Sequence, residues 1–184
     1  MLIVAYRKSW PLDFSKIENE LLQALSGLEI TIEHIGSTAV PNLAAKPIID
    51  IDIVFNKTVK LEQIKGRLEK IGYYHNGNQG IINREVFKRT NTLNHEVLDV
   101  IAHHLYICPQ DSDESKKHLL FRDYLRNNKF ESLEYQQLKY IIADEAKNDR
   151  KKYAALKEVK AKIFIERIIA LANGSKEFSL SDNL

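Results

Sequence analysis

An α+β fold, a mixed β-sheet backed by helices with a helical block behind it, is what this 184-residue sequence predicts. Three observations carry that reading. Residues 30–35 and 49–55 alternate apolar and polar side chains with the period of strands. Helical periodicity then dominates residues 111–172. Strands and helices do not alternate regularly enough for a doubly wound parallel sheet.

The elements follow in chain order. Helical periodicity starts near Ser15, with Ile17, Leu21, Leu22 and Leu25 on one face and Gly27 as the stop. The strand over 30–35 closes at Gly36-Ser37, and residues 38–46 read as a connection with room for one helical turn. Pro47 opens the second strand, where a missing N–H is tolerated best. Leu61, Ile64, Leu68 and Ile71 predict a second helix ending at Gly72. Gly77, Gly80 and Asn83 mark turns around a short hairpin. Residues 97–101 and 104–108 are the remaining expected strands, the latter closed by Pro109. Asp111-Ser112-Asp113-Glu114 is a helix-start signal. Helices are expected over 112–127, 130–148 and 151–172, the last packing a stripe of Leu156, Val159, Ile163, Ile168 and Leu171. The expected organisation is one compact unit: a core over 1–110, a helical block over 111–172 and a flexible tail over 173–184.

Composition narrows the function classes. Apolar content of 44% and charged content of 28% are ordinary for a globular chain. A net charge of +2 does not by itself indicate a nucleic-acid surface. The single cysteine, Cys108, excludes an internal disulfide framework and fits a reducing compartment. The Leu-Ile-Val-Ala run near the start is too short for a signal-peptide core, and no apolar stretch reaches the ~18 residues of a membrane span. A soluble cytoplasmic protein is expected.

Chemistry concentrates between His34 and Phe55. Asp50 and Asp52 alternate with Ile49, Ile51 and Ile53, so the two carboxylates share one strand face, roughly 6–7 Å apart at Cα. Two such carboxylates are costly to bury without a cation between them, and Mg²⁺ with its preference for hard oxygens and phosphates suits the pair. Gly36 lets backbone approach a phosphate closely, and the Ser37 hydroxyl can hold its oxygens. The structural alternative has Ser37 capping a turn and the aspartates satisfied by backbone or by Lys46. Residue chemistry alone leaves both readings open.

The run His-Ile-Gly-Ser-Thr-Ala-Val-Pro (34–41), continued by Ala-Ala-Lys-Pro-Ile-Ile-Asp-Ile (44–51), resembles the signature of the GrpB family. Later blocks, His103 to Cys108 and His118 to Arg126, and Tyr6 with Trp10 and Pro11, resemble that family too, so the likeness spans nearly the whole chain. It implies the nucleotidyltransferase superfamily, with the fold of the DNA polymerase beta palm. It further implies Gly36 and Ser37 as phosphate-positioning residues, and Asp50 and Asp52 as ligands of Mg²⁺ or Mn²⁺.

A third carboxylate usually completes such a site. Here the late strand offers His104 and Tyr106, while Asp99 has the apolar-acid-apolar form of a strand ligand or lies in a turn. His104 is the nearest base by type, and on a strand His103 must face the opposite side. Lys46 precedes the aspartate strand as a phosphate or carboxylate partner. Arg84 and Lys88 sit in a segment resembling the family's basic hairpin. Arg122 and Arg126 share one helix face, where they serve phosphate or an ion-pair network pinning helix to sheet. The expected function is metal-dependent transfer of a nucleotidyl group from a nucleoside triphosphate to an unknown acceptor. Alternatives are a non-catalytic nucleotide- or coenzyme-binding module and a metal-dependent phosphoester hydrolase. The expected partner is a nucleotide or other phosphorylated small molecule, with nucleic acid left open and no membrane.

Overall fold

The computed structural model describes residues 2–90, 92–147 and 149–181, with side chains described as far as residue 174. Helix α1 (Trp10–Ala24) starts five residues earlier than its apolar stripe suggests, because Pro11 presets the first turn. Strand β1 (Ile30–Ile35), a short 3₁₀ turn (Ser37–Ala39) and strand β2 (Ile49–Phe55) follow. Helix α2 (Leu61–Lys70) leads into β3 (Tyr73–His75), β4 (Glu85–Arg89) and β5 (His103–Pro109). Four further helices complete the chain: α3 (Asp113–Asn127), α4 (Lys129–Glu145), α5 (Arg150–Lys160) and α6 (Lys162–Ser181). None of the described helices is long and apolar enough to cross a membrane.

The strands form one mixed sheet in the order β1-β2-β5-β4-β3, antiparallel except for the central β2–β5 pair. That parallel pair needs a long crossover, which α2, β3 and β4 supply. Ile49, Ile51 and Ile53 of β2, Leu105 and Ile107 of β5 and Phe87 of β4 face one side. There they pack with Trp10, Ile17, Leu21 and Leu25 of the α1 region and Ile64 and Leu68 of α2. Burying each such Ile or Leu contributes about 1.5–3 kcal/mol. Period two sends Asp50 and Asp52 to the opposite face.

The helical block does not stand apart. Val40 and Leu43 of the β1–β2 connection are buried with Leu125, Tyr135, Ala161, Phe164 and Ile168. Ile3 and Ala44 pack with Ile142, Ala146 and Tyr153.

Two expectations are corrected here. Residues 97–101 are turns rather than a strand: the Asp99 and Ile101 amides donate to the carbonyls of His95 and Val97, and Leu98 is buried between them. The single helix over 151–172 is two, breaking at the fully buried Ala161. The break shifts the inward face to Phe164, Ile168 and Ala172. Of the anticipated stripe, Val159, Ile163 and Leu171 are exposed. Helix α6 also runs on to Ser181 through most of the segment expected as a tail, and residues 182–184 lie outside the described ones.

Candidate functional site

The register of the sheet assembles the site. In β1, Ile35 pairs with Asp50 and Glu33 with Asp52; in β5, His104 pairs with Asp50 and Tyr106 with Asp52. Glu33, Asp50, Asp52, His104 and Tyr106 therefore share the face away from the apolar core. Asp50 is partly open, and its Oδ1 meets His104 Nδ1 at 2.8 Å. Asp52 is wholly buried, with Oδ2 accepting from His118 Nδ1 at 2.9 Å. Its other oxygen, Oδ1, is buried with no hydrogen-bond partner among the described residues. His118 comes from α3 and also meets Glu114 at 3.6 Å. Burial alone would lower its pKa, but the bonds and charges of Asp52 and Glu114 outweigh that and raise it to about 9. At neutral pH an imidazolium thus sits against Asp52.

Gly36 closes β1 with φ +70° and ψ −169°, a conformation essentially confined to glycine. A Cβ there would lie 2.5 Å from Asp50 Oδ2, so the turn approaches the carboxylate as only glycine permits. Ser37 then opens the 3₁₀ turn, and its Oγ accepts a hydrogen bond from Lys139 Nζ of α4 at 3.1 Å. Lys139 also donates to the Ala44 carbonyl, and Gln136 Oε1 accepts from the Ala44 amide at 2.8 Å. Burial, then the charge of nearby Lys157, lowers the Lys139 pKa to about 6. For Lys157 on α5 the Tyr135 oxygen, and after it the Asp50 carboxylate, outweigh burial and hold the pKa above the ordinary lysine value. Lys46 lies over the Tyr153 ring at 4.0 Å; burial and then Lys157 lower its pKa, opposed by Asp50. Three lysines thus gather around the Ser37 and Asp50 side of the site.

The other predicted residues fall in three places. Arg84 lies on the β5–β4 flank, its guanidinium 4.9 Å from the Tyr106 ring centroid and 3.9 Å from Glu114, with a buried Nε that has no hydrogen-bond partner among the described residues. Lys88 is exposed on β4, on the same sheet face as Val86 and Tyr106. Arg122 ties α3 to β1, donating to Glu33 at 2.7 Å and to the His34 carbonyl at 3.0 Å while pairing with Asp123. Arg126 donates to the Ala39 carbonyl at 2.9 Å. Asp99 is away from the aspartate strand: in its turn it accepts from Arg89 and from the His95 amide. His34 faces the core, stacked on Phe14 and bonded to Thr38, and burial lowers its pKa to about 4. His103 faces away from the aspartates and bonds Tyr73.

Sequence reasoning missed Lys139 and Lys157 and took His118 only as the start of a block resembling the family. A signal for the two lysines was present. Tyr135, Lys139, Ile142 and Ala146 recur at the inward spacing of α4, as Tyr153, Lys157 and Ala161 do along α5 into the break, so Lys139 occupies a buried position of an apolar stripe and Lys157, half-buried, is in step with another.

Comparison with known proteins places this geometry in a family. The model described as "GrpB protein" matches residues 1–170. The chain belongs to the GrpB family. It is 32% identical over 171 residues to the glutamate-rich protein GrpB of Alkalihalophilus pseudofirmus, covering 92% of this chain and 94% of that one. It is 36% identical over 142 residues to YqkA of Bacillus subtilis, where the match takes in 77% of this chain but only 39% of the relative. The crystal structure of GrpB from Enterococcus faecalis superposes with a TM-score of 0.76 at 31% identity, over 95% of this chain and 98% of that one. Much of the chain also shares its fold with part of the Cid1 poly(U) polymerase. The MgGTP-bound Cid1 structure matches with a TM-score of 0.51 at 12% identity, over 71% of this chain and 41% of that one.

Among the described residues no group of three His, Cys, Asp or Glu is arranged to hold an ion. Mg²⁺, however, is commonly held by one or two carboxylates and completed by substrate phosphates and water. Asp50 and Asp52, with a buried carboxylate oxygen lacking a partner, fit that mode and not an all-protein cage.

Proposed function

We propose that this GrpB-family protein binds a nucleoside triphosphate and transfers its nucleotidyl group to an acceptor yet to be identified. The observation that carries the proposal is the meeting of the Gly36–Ser37 turn with the Asp50 carboxylate inside a three-lysine cluster. In this reading Gly36, Ser37, Lys46, Lys139 and Lys157 hold the phosphates. Asp50 and Asp52 hold Mg²⁺ or Mn²⁺, which supplies charge neutralisation for the reacting phosphate. His104, hydrogen-bonded to Asp50 and half exposed, takes the proton of the acceptor. Arg84 and Lys88, on the flank opposite Ser37, face the acceptor side.

A second reading, nucleotide binding without chemistry, is favoured by one specific feature. The strand beside β2 sets His104 and Tyr106 against the aspartates where a third carboxylate would complete the site, and the His118 imidazolium already occupies Asp52. The experiment that separates the two is incubation with α-labelled nucleoside triphosphates and Mg²⁺ or Mn²⁺, for the wild type beside Asp50→Asn. Metal-dependent label transfer or pyrophosphate release by the wild type alone supports transfer, and product analysis tells transfer to an acceptor from transfer to water. Binding with no conversion under any metal supports the binding module.

A further inference from the structure

Lys139 is 2% exposed, yet every partner it has is neutral: the Ser37 hydroxyl, the Ala44 carbonyl and the face of the Tyr135 ring, 4.7 Å from Nζ. Among the described residues no carboxylate bonds to it. Among the described residues, the titratable group in contact with it is Tyr135 on its own helix, and Lys46 lies on the connection that it grips. To these α5 adds Arg150, Tyr153 and Lys157, and β2 adds Asp50. Asp50 acts on Lys46 and Lys157, and Lys157 in turn opposes charge on Lys139. A long amine has therefore been brought to the Ser37 hydroxyl across 102 residues of chain and left there without a counter-ion.

We propose that Lys139 is a proton-coupled anion receptor: when a phosphate group docks at Ser37, the amine takes a proton from solvent and becomes the counter-ion of that phosphate. The proposal rests on the phosphate reading of the site and adds a stoichiometry to it, one proton bound with each ligand. The physics is a balance of burial against charge. An ammonium buried among neutral dipoles and beside Lys157 is disfavoured, and the amine is uncharged at neutral pH. A phosphate within contact supplies in a low-dielectric setting the attraction that burial removed. Binding is then tighter at lower pH, toward tenfold per unit over the range where the free amine is neutral and the bound one charged.

Calorimetric titration of the full chain with ATP in EDTA, at pH 8 in two buffers of different ionisation enthalpy, tests this directly. A terminal phosphate with a pKa of about 6 is fully ionised there and supplies no proton. The expected result is uptake of about one proton per ATP and a Kd that weakens nearly tenfold between pH 7.5 and 8.5. In Lys139→Met the uptake disappears and the pH slope flattens. If that variant does not fold, the two-buffer comparison and the pH slope of the wild type decide. ATP binding without net proton uptake overturns the inference and leaves the phosphate site standing. Uptake that persists in folded Lys139→Met overturns it as well. Absence of ATP binding at every pH, in EDTA and in Mg²⁺ alike, overturns the inference and the phosphate reading together.

Discussion

At the scale of single residues, the site depends on a carboxylate whose partner lies far away in sequence and on a glycine pressed against a second carboxylate. Asp52 depends on His118, 66 residues later, and the pH dependence of that pair follows from its chemistry. Burial disfavours the His118 imidazolium, but Asp52 and Glu114 prevail and the pKa rises from 6.5 to about 9. The folded protein therefore binds this proton more tightly than the unfolded chain. The resulting stability is complete below about pH 6.5 and is lost as pH climbs through about 9. Thermal melts of the wild type and His118→Gln should differ most near pH 6 and converge by pH 10; a gap that widens with pH contradicts the pairing. Gly36→Ala tests the other half of the site. A methyl group 2.5 Å from Asp50 Oδ2, on a backbone that alanine avoids, should cost about 1–3 kcal/mol in urea denaturation.

Elements place these residues, and here the sequence was uneven in what it disclosed. Alternation in β2 alone put Asp50 and Asp52 on one face, and the same rule separated His103 from His104. Period two is a local property, so it is readable without a structure. The turn at 97–101 was only one of two open readings because Leu-Asp-Val has a strand's pattern; the structure decides for the turn, where the Asp99 carboxylate accepts from the His95 amide. Lysines 139 and 157 were hidden because a lysine-rich helical run reads as a solvated face until its inward stripe is traced residue by residue. The tie between α3 and β1 was only half visible, as Arg122 and Arg126 share a helix face whether they meet phosphate or protein. In the fold Arg122 is 11% exposed and saturated by Glu33, Asp123 and the His34 carbonyl. Arg122→Met should therefore cost about 2–3 kcal/mol of stability and leave ATP affinity unchanged. Denaturation and the same calorimetric titration check both halves.

For the whole molecule, the helical block is part of the site. Lys139 and Gln136 grip Ala44, Arg126 grips Ala39, and Val40 and Leu43 are buried among side chains of α3, α4 and α6 with Ala161 between α5 and α6. On its other side the connection is covered by the N-terminal segment, where Val4 and Ala45 exchange backbone hydrogen bonds and Ile3 packs with Ala44. A fragment ending at residue 110 should accordingly show no cooperative unfolding by circular dichroism, although it holds all five strands; a sharp transition would mean that the sheet and α1–α2 suffice. The fold class was legible from strand alternation and the helical run. What the sequence could not convey was this wrapping, since its contacts join residues roughly ninety to a hundred positions apart.

The central claim is that Asp50 and Asp52 and the Gly36–Ser37 turn act together as one platform for a metal-bound nucleotide. Electron paramagnetic resonance of Mn²⁺, titrated with a non-hydrolysable ATP analogue into the wild type, Asp50→Asn and Ser37→Ala, tests it most directly. The account predicts that the wild type retains Mn²⁺ with the nucleotide present and holds it weakly without, and that each variant loses at least about tenfold in affinity for the Mn²⁺–nucleotide complex. Equal retention of that complex by the wild type and Asp50→Asn would contradict it.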